Sequence, residues 1–547
     1  MKRLTLFYII LLAFSAALCA QSKHEVRAVW LTTIGGIDWP SSFAHDGMGI
    51  VRQKQELIDI LDRLKAVNVN TVLLQTRVRA TTIYPSDIEP WDGCLSGKPG
   101  ISPGYDALQF AIDECHRRGM ELHAWVVTIP VGKWNTYGCK QLRRRYGSLI
   151  KKIGDEGYMN PESPFTAEYI SDICAEITRR YDIDGIHLDY IRYPETWRGA
   201  KSKENISYIV RRIHQKVKMH KQWVKLSCSP IGKYDDLSRY TSRGWNARRQ
   251  VAQDAQGWMR EGLMDQLYPM MYFQGNNFYP FAIDWQENSY GRTVVSGLGI
   301  YMLHPRERNW PLAEVERQLN VTRQIGMGHC YFRAKFLLDN VKGVFQYVKH
   351  FDRHPTLIPS MTWAHQPAPS APSYLSVEHT DKGDLLLWGG ARDNSDGPYL
   401  LYNVYASSEE PVDISNPANL IATRYLWQRL QVPQTATMSQ PLHYAVTAID
   451  RYGNESTAAY DNSASRDFTP SATSMLPNDG NMLKLSAHLS TDTDLLAILT
   501  LQGSIVHTCR YHSEIDLRAL PEGIYELRTL SRKGIMHRLG FFTIKRH

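Results

Sequence analysis

The sequence predicts an α/β chain, a (β/α)8 TIM barrel followed by two all-β sandwich modules. Three observations carry that expectation. From Val26 to about Leu338, short β-branched runs alternate with stretches of helical periodicity, as parallel strands with crossover helices require. Eight such runs can be assigned, the number that closes a barrel. After Arg353 the composition turns proline-rich and then changes to short alternating strands.

The first twenty residues read as an export signal. Lys2 and Arg3 precede the apolar run Leu4 to Leu18, which is short for a membrane span, and polar Gln21-Ser-Lys-His follows at once. Cleavage after Ala20 is the first expectation; Cys19 as a lipid-attachment site is the alternative, although Leu18 fits poorly where a small residue is wanted. The barrel is expected over 21–354, with strands at Val26–Thr33, Thr71–Arg77, Glu121–Thr128, Gly185–Tyr190, Val224–Ser229, Gln266–Tyr272, Thr293–Ile300 and Gly328–Arg333. Leu57, Ile60, Leu61 and Leu64 mark one helical face, and Ala107, Leu108, Ala111, Ile112 and Cys115 another, ended by Gly119. An open doubly wound sheet would show a glycine-rich phosphate turn after the first strand, and none occurs there. A proline-rich linker over 355–369 leads to a module at 370–465 with strands Leu385–Trp388, Tyr402–Tyr405 and Tyr444–Ile449. A second module spans 471–547.

Composition excludes several functions. The net charge of +8, from 63 basic and 55 acidic residues, is mild for 547 residues and leaves no nucleic-acid footprint. None of the eight cysteines forms a CxxC, so a zinc or thioredoxin-type site is not expected. Cys94 and Cys139, in loops over one barrel face, are a candidate disulfide. No cofactor, metal or further membrane span is expected, and a lone histidine near Asp189 makes a poor ligand set. A serine-hydrolase elbow G-x-S-x-G is missing.

The catalytic candidates follow from strand ends, where barrel enzymes place their chemistry. Asp184-Gly-Ile-His-Leu-Asp-Tyr-Ile-Arg-Tyr-Pro194 reads as a buried strand whose exit carries Asp189, followed by Arg192, Tyr193 and Glu195. Asp184 and Asp265 precede their strands and face the stability end. The other exits supply Trp39, Gln75, Arg77, His123, Trp125 and Tyr272, groups that stack on sugar rings or bind their hydroxyls. His123 reads equally as a satisfied core histidine, and Trp39 as a loop anchor. Glycoside hydrolysis usually needs two carboxyls, one protonated and one ionised. Asp189 is the first; Glu195, Glu89, Asp92 and Asp87 compete for the second.

Arg27-Ala-Val-Trp-Leu-Thr-Thr33, Asp38-Trp-Pro40, Asn70–Gln75, Tyr84-Pro-Ser86, Pro90-Trp91, Pro103–Asp106, His123-Ala-Trp125, Asp184–Asp189, Ser229-Pro230 and Gly262–Asp265 occur in one order over residues 25–340. Together they resemble the glycosyl-hydrolase-10-like family of bacterial envelope proteins. The resemblance implies a glycosidase barrel in a family that includes enzymes cutting peptidoglycan glycan strands. It departs at Gln75-Thr-Arg-Val-Arg79 and at Tyr190, where the family often has a second acid. Set against the DxxDxDxE strand of family-18 chitinases, Ile191 stands where their general acid would be, which argues against substrate-assisted chemistry. The 370–465 stretch resembles a fibronectin type III module, with Trp388 early and Tyr444 late. Leu499–Gly503 and Ile515–Tyr525 resemble C-terminal modules of Bacteroidetes exported proteins, some read by the type IX secretion machinery. The resulting expectation is an exported glycoside hydrolase in the periplasm, on the cell surface or outside the cell. Its alternative is a non-catalytic glycan-binding protein on a degenerate barrel.

Overall fold

A computed structural model describes residues 21–240, 244–433, 441–461, 476, 478–485, 495–500, 505–510, 514–530 and 536–545. The export signal, Cys19, the module boundary at 462–475 and the turn at 501–504 lie outside the described residues. Eight parallel strands close on themselves: β1 (Arg27–Leu31), β2 (Thr71–Val78), β3 (Glu121–Val127), β4 (Gly185–Asp189), β5 (Lys225–Cys228), β6 (Gln266–Leu267), β7 (Thr293–Leu298) and β8 (Gly328–Tyr331). Each pairs with its neighbour, and β8 pairs with β1 to complete the barrel. The strands are buried throughout, which is why they read in sequence as apolar runs and not as alternating ones.

The crossover helices are α1 (Gly47–Lys65), α2 (Ala107–Arg117), α3 (Pro164–Arg180), α4 (Lys203–His220), α5 (Ala255–Arg260), α6 (Tyr279–Glu287), α7 (Leu312–Gln324) and α8 (Val344–Phe351). Their starts are local. Asp46, Asp106 and Ser202 each accept a hydrogen bond from the backbone N–H three residues on, and Pro164 opens α3. Leu57, Leu61 and Leu64 of α1 pack with Leu108, Ala111 and Cys115 of α2 in one core around the barrel. Cys94, in the short helix Gly93–Ser96, and Cys139, in the helix Tyr137–Tyr146, are both buried free thiols, and no disulfide joins them.

Beyond the barrel, residues 355–369 are not a bare spacer. Thr356, Leu357, Ile358 and Met361 are buried, and the Glu25 N–H donates to the Leu357 carbonyl at 2.9 Å. A β-sandwich follows, with Leu375–Thr380, Gly383–Trp388 and Arg429–Val432 in one sheet. The other holds Leu420–Tyr425, Leu401–Ser407, His443–Ile449 and Ala459–Tyr460, and Trp388, Tyr402 and Tyr444 share the core between them. Barrel and sandwich form one compact unit ending at Asp461, and residues 462–547 form a second. In that second unit Leu495–Thr500, Ile505–Arg510, Gly523–Leu530 and Met536–Ile544 make an antiparallel sheet, and Met482–Lys484 pairs with Glu514–Asp516. Leu496, Ile498, Leu527 and Phe542 lie in its core.

The sandwich seals the N-terminal pole of the barrel with charge. Arg424 donates to Glu121 at 3.0 Å and to Asp184 at 2.5 Å, while Arg451 reaches Asp182 at 2.7 Å and Asp184 at 3.2 Å. Asp184 also accepts from the Leu122 N–H at 2.9 Å and lies 2.8 Å from His116 Nε2. Gly119 shows how close the approach is: at φ +68° a Cβ there would stand 2.0 Å from the Thr423 carbonyl oxygen.

Candidate active site

Strand register sets the layers inside the barrel. His123, Trp125 and Val127 of β3 stand level with Gly185, His187 and Asp189 of β4, and His187 is level with Ser227 of β5. Alternate residues share a face, so Asp189 tops the inward row. Three donors meet its carboxylate: Ser229 Oγ at 2.9 Å and the Tyr190 N–H at 2.8 Å on Oδ1, and Trp125 Nε1 at 3.2 Å on Oδ2. Its carbonyl accepts from the N–H and hydroxyl of Thr128, both at 2.9 Å. Burial pushes the Asp189 carboxyl above the ordinary aspartate range, against the opposing pull of Arg192 and these donors. An upward shift is the direction that a general acid needs. Tyr190 turns away with φ +52°, a left-handed conformation that a bulky side chain rarely adopts, and this aims its N–H at Asp189.

The far wall is aromatic. The Tyr272 ring stacks on Phe332 at 5.4 Å and meets Tyr301 edge-on at 5.7 Å. Asp189 contributes to raising the Tyr272 hydroxyl, though burial dominates. Phe332 follows β8 and is absent from the candidate residues, although it lies inside the strand expected at Gly328–Arg333; reading that exit would have found it.

Loop four holds Arg192 and Glu195. The Arg192 guanidinium lies over the Tyr190 ring at 3.9 Å, and its Nη2 reaches the solvent-facing Glu195 carboxylate at 3.3 Å. Trp125, Arg192, Glu195 and Tyr272 therefore gather around Asp189 or in the loop that follows it.

Other candidates are placed elsewhere. His123 is fully buried and hydrogen-bonds Glu121 at 3.0 Å. By register it lies level with Gly185, four residues below Asp189, or about 13 Å at the usual strand rise. A Cβ at Gly185 would stand 2.5 Å from His123 Nδ1, so the ring fills the space that glycine leaves. Trp39 is completely buried, its Nε1 donating to the Gln53 carbonyl at 2.9 Å, which clamps the first loop on α1. Tyr193 packs outward against Trp197 at 5.3 Å and accepts from Asn205 Nδ2 at 3.0 Å. Gln75 spends its carbonyl oxygen on the N–H groups of Thr33 (3.1 Å) and Ile34 (2.8 Å).

The rival carboxylates are committed. Glu89 makes a two-pronged ion pair with buried Arg77, at 2.9 and 2.6 Å, and accepts from Tyr169 at 3.0 Å. Arg77 in turn donates to the carbonyls of Val127 and, at 2.9 Å, Thr128, bracing the end of β3. Asp92 caps the turn at Cys94 (2.8 Å) and accepts from Thr81 at 2.6 Å; Asp87 pairs with Arg180. Replacing Glu89 with Gln strands a buried guanidinium, and the expected result is a loss of about 3–5 kcal/mol of stability, read by thermal denaturation.

A second cluster, Glu25, His329 and Asp352, has the donor set of a metal site. Two arginines already occupy it. Arg27 lies 2.8 Å from Glu25 and 3.2 Å from Asp352, and Arg323 lies 2.8 and 2.5 Å from the same pair. Cationic charge is thus supplied by the chain itself, and these residues do not fit a divalent ion.

Fold and mouth together define a glycoside-hydrolase-like (β/α)8 barrel protein. The family described as Glycosyl hydrolase-like 10 matches residues 25–203 and 194–302, and the chain belongs to it. "Glycosyl hydrolase YngK" of Bacillus subtilis (strain 168) is 28% identical over 483 residues, covering 80% of this chain and 93% of the relative. "Glycosyl hydrolase DigH" of Escherichia coli (strain K12) is 30% identical over 294 residues, 46% of this chain and 66% of the relative. Among solved structures, the PgaB (BpsB) glycoside hydrolase domain from Bordetella bronchiseptica aligns with 60% of this chain and 98% of its own. Its identity is 13% and its TM-score 0.43.

Proposed function

We propose that the protein is an exported glycoside hydrolase that cuts a polysaccharide at the C-terminal mouth of the barrel, with peptidoglycan glycan strands as the leading substrate. One observation carries the reading: Asp189, buried at a strand end beside Trp125 and Ser229, is held above the usual aspartate range. Asp189 delivers its proton to the glycosidic oxygen as the bond to the anomeric carbon breaks. Glu195 supplies the second carboxylate, which supports the positive charge growing on the ring. A water oxygen then bonds to the anomeric carbon and its proton returns to the carboxylate pair. Trp125, Tyr272 and Phe332 offer aromatic faces to the sugar, and Arg192 offers guanidinium donors. The peptidoglycan assignment is supported by the family resemblance, and export by the basic-then-apolar start of the chain. The two-sheet module with buried Trp388 and Tyr444 supports a fibronectin type III reading, and Leu520-Pro-Glu-Gly-Ile-Tyr525 supports a sorting role for the last module.

One observation favours the alternative of a non-catalytic glycan binder. Glu89, Asp92 and Asp87 are all engaged in local pairs, and the more exposed Glu195 itself lies 3.3 Å from Arg192, so each of the sequence-derived rivals already has a cationic or hydrogen-bonding neighbour. Incubation with peptide-stripped peptidoglycan strands beside a panel of soluble polysaccharides, followed by mass spectrometry, separates the two. New reducing ends establish the hydrolase. Retained glycan with no products favours the binder.

A further inference from the structure

Between β3 and α3 the chain makes a long excursion over the mouth of the barrel. Pro130–Lys133, Glu156–Met159 and Ile150–Ile153 form a small antiparallel sheet, with the helix Tyr137–Tyr146 between its strands. Its feet stand at the candidate site. Thr128 donates to the Asp189 carbonyl, and the Met159 N–H donates to the Ile129 carbonyl at 2.8 Å.

Residues 130–159 are strongly basic. Lys133, Lys140, Arg143, Arg144, Arg145, Lys151 and Lys152 face only Asp155 and Glu156, an excess of +5 in a chain whose total is +8. Among the described residues Lys133 alone meets a carboxylate, Asp155 at 3.5 Å. Arg143 and Lys152 lie over the Trp134 ring at 3.9 and 5.5 Å, and Lys140, Arg144 and Lys151 are exposed. A run of lysines and arginines is by itself ordinary solvated surface. Here a second observation stands in the loop after β4, which the excursion adjoins through Thr128. Arg192, almost wholly buried, has Nε and Nη1 with no acceptor among the described residues. Buried donors in native proteins nearly always find an acceptor, and the arginine fork matches a carboxylate.

We propose that the β3–α3 excursion is a docking rail for a polyanionic glycan, and that Arg192 takes one of its acid groups beside Asp189. The inference rests on reading this mouth as a glycan site and adds that its glycan carries regularly spaced carboxylates. A polymer of that kind is drawn to the rail by many weak contacts, strengthens at low salt, and presents successive sugars to the mouth.

The test uses the full chain, polygalacturonate as a charged linear probe and dextran as a neutral one, with binding read by calorimetry at several salt concentrations. The wild type is expected to bind polygalacturonate with an affinity that falls as salt rises. Lys140→Gln/Arg144→Gln/Lys151→Gln, which touches no group at Asp189, is expected to weaken that binding about tenfold and flatten the salt dependence, leaving dextran unaffected. Arg192→Gln is expected to weaken polygalacturonate at every salt concentration. Equal affinity of the triple variant and the wild type would overturn the proposal. So would binding through the same three residues to vesicles of anionic phospholipid with none to polygalacturonate, which would make the rail a membrane surface. Binding is also measured in Asp189→Asn. Retained polyanion binding with no hydrolysis of any glycan by the wild type would end the hydrolase reading and leave the rail standing.

Discussion

Asp189→Asn is expected to lower hydrolysis by about 10²–10⁴-fold, the usual contribution of a general acid, while glycan binding persists. Asparagine keeps an oxygen where Oδ1 accepts from Ser229 and the Tyr190 N–H, so the strand exit retains its shape. What disappears is the transferable proton, together with the oxygen that accepts from Trp125 Nε1. The stability readout separates this from misfolding. Burial raises the Asp189 pKa above its unfolded value of 3.8, so the folded state is penalised once pH exceeds that value and the carboxyl is pressed to ionise. Asparagine has no proton to lose, which offsets the acceptor lost to Trp125 Nε1, and the melting temperature of the variant at neutral pH is expected to stay within a few degrees of the wild type. The same shift fixes the pH profile: activity of the wild type declines on the alkaline side as Asp189 gives up its proton. Hydrolysis by the variant at the wild-type rate would remove Asp189 from the mechanism.

Asp184→Ala is expected to lower stability by about 3–5 kcal/mol without touching the mouth. The substitution leaves Arg424 and Arg451 in a buried pole without their shared acceptor and orphans the Leu122 N–H. Calorimetry reads the loss, and limited proteolysis between the barrel and the sandwich reads its location. Acid provides an independent check. Burial opposes the ionised form of Glu121, but Lys225 and Arg424 overcome it and hold the carboxyl at about 2, below its ordinary 4.5. Asp184 is held well below 3.8, chiefly by His116 and the two arginines against the same burial. Carboxylates depressed on folding stabilise fully above their unfolded values and lose that contribution as pH falls through the folded ones. Stability is therefore expected to decline from about pH 4.5 towards 2, and Glu121→Gln, lower at neutral pH, is expected to show a shallower decline. Identical acid curves for the variant and the wild type would rule the pole out as the acid-sensitive element.

The barrel was legible because its strands are covered on both faces, so each of the eight runs stands out as apolar against amphipathic helices. Asp189 was legible for a related reason: a strand end and an acid can both be read locally. The row in which a residue sits cannot. His123 and Trp125 differ by one layer, yet one contacts Glu121 and the other Asp189. Glu89 looked free because its partner Arg77 meets it only after the second loop folds back. Trp39 shows the same limit, since its anchor is a backbone carbonyl on α1. The polar seal was invisible, because Arg424 and Glu121 are 303 residues apart and no periodicity links them.

That seal bears on how the protein is made. Synthesis proceeds from the N-terminus, so Glu121 and Asp184 leave the ribosome long before Arg424 and Arg451 do. Until then the floor of the nascent barrel holds acids without their sandwich partners, and closure is expected to await the later strands. Ribosome-bound chains arrested with Arg333 just exposed are expected to remain protease-sensitive, and those arrested beyond Asp461 to be resistant. Resistance at the earlier point would show that the barrel matures alone and receives the sandwich afterwards.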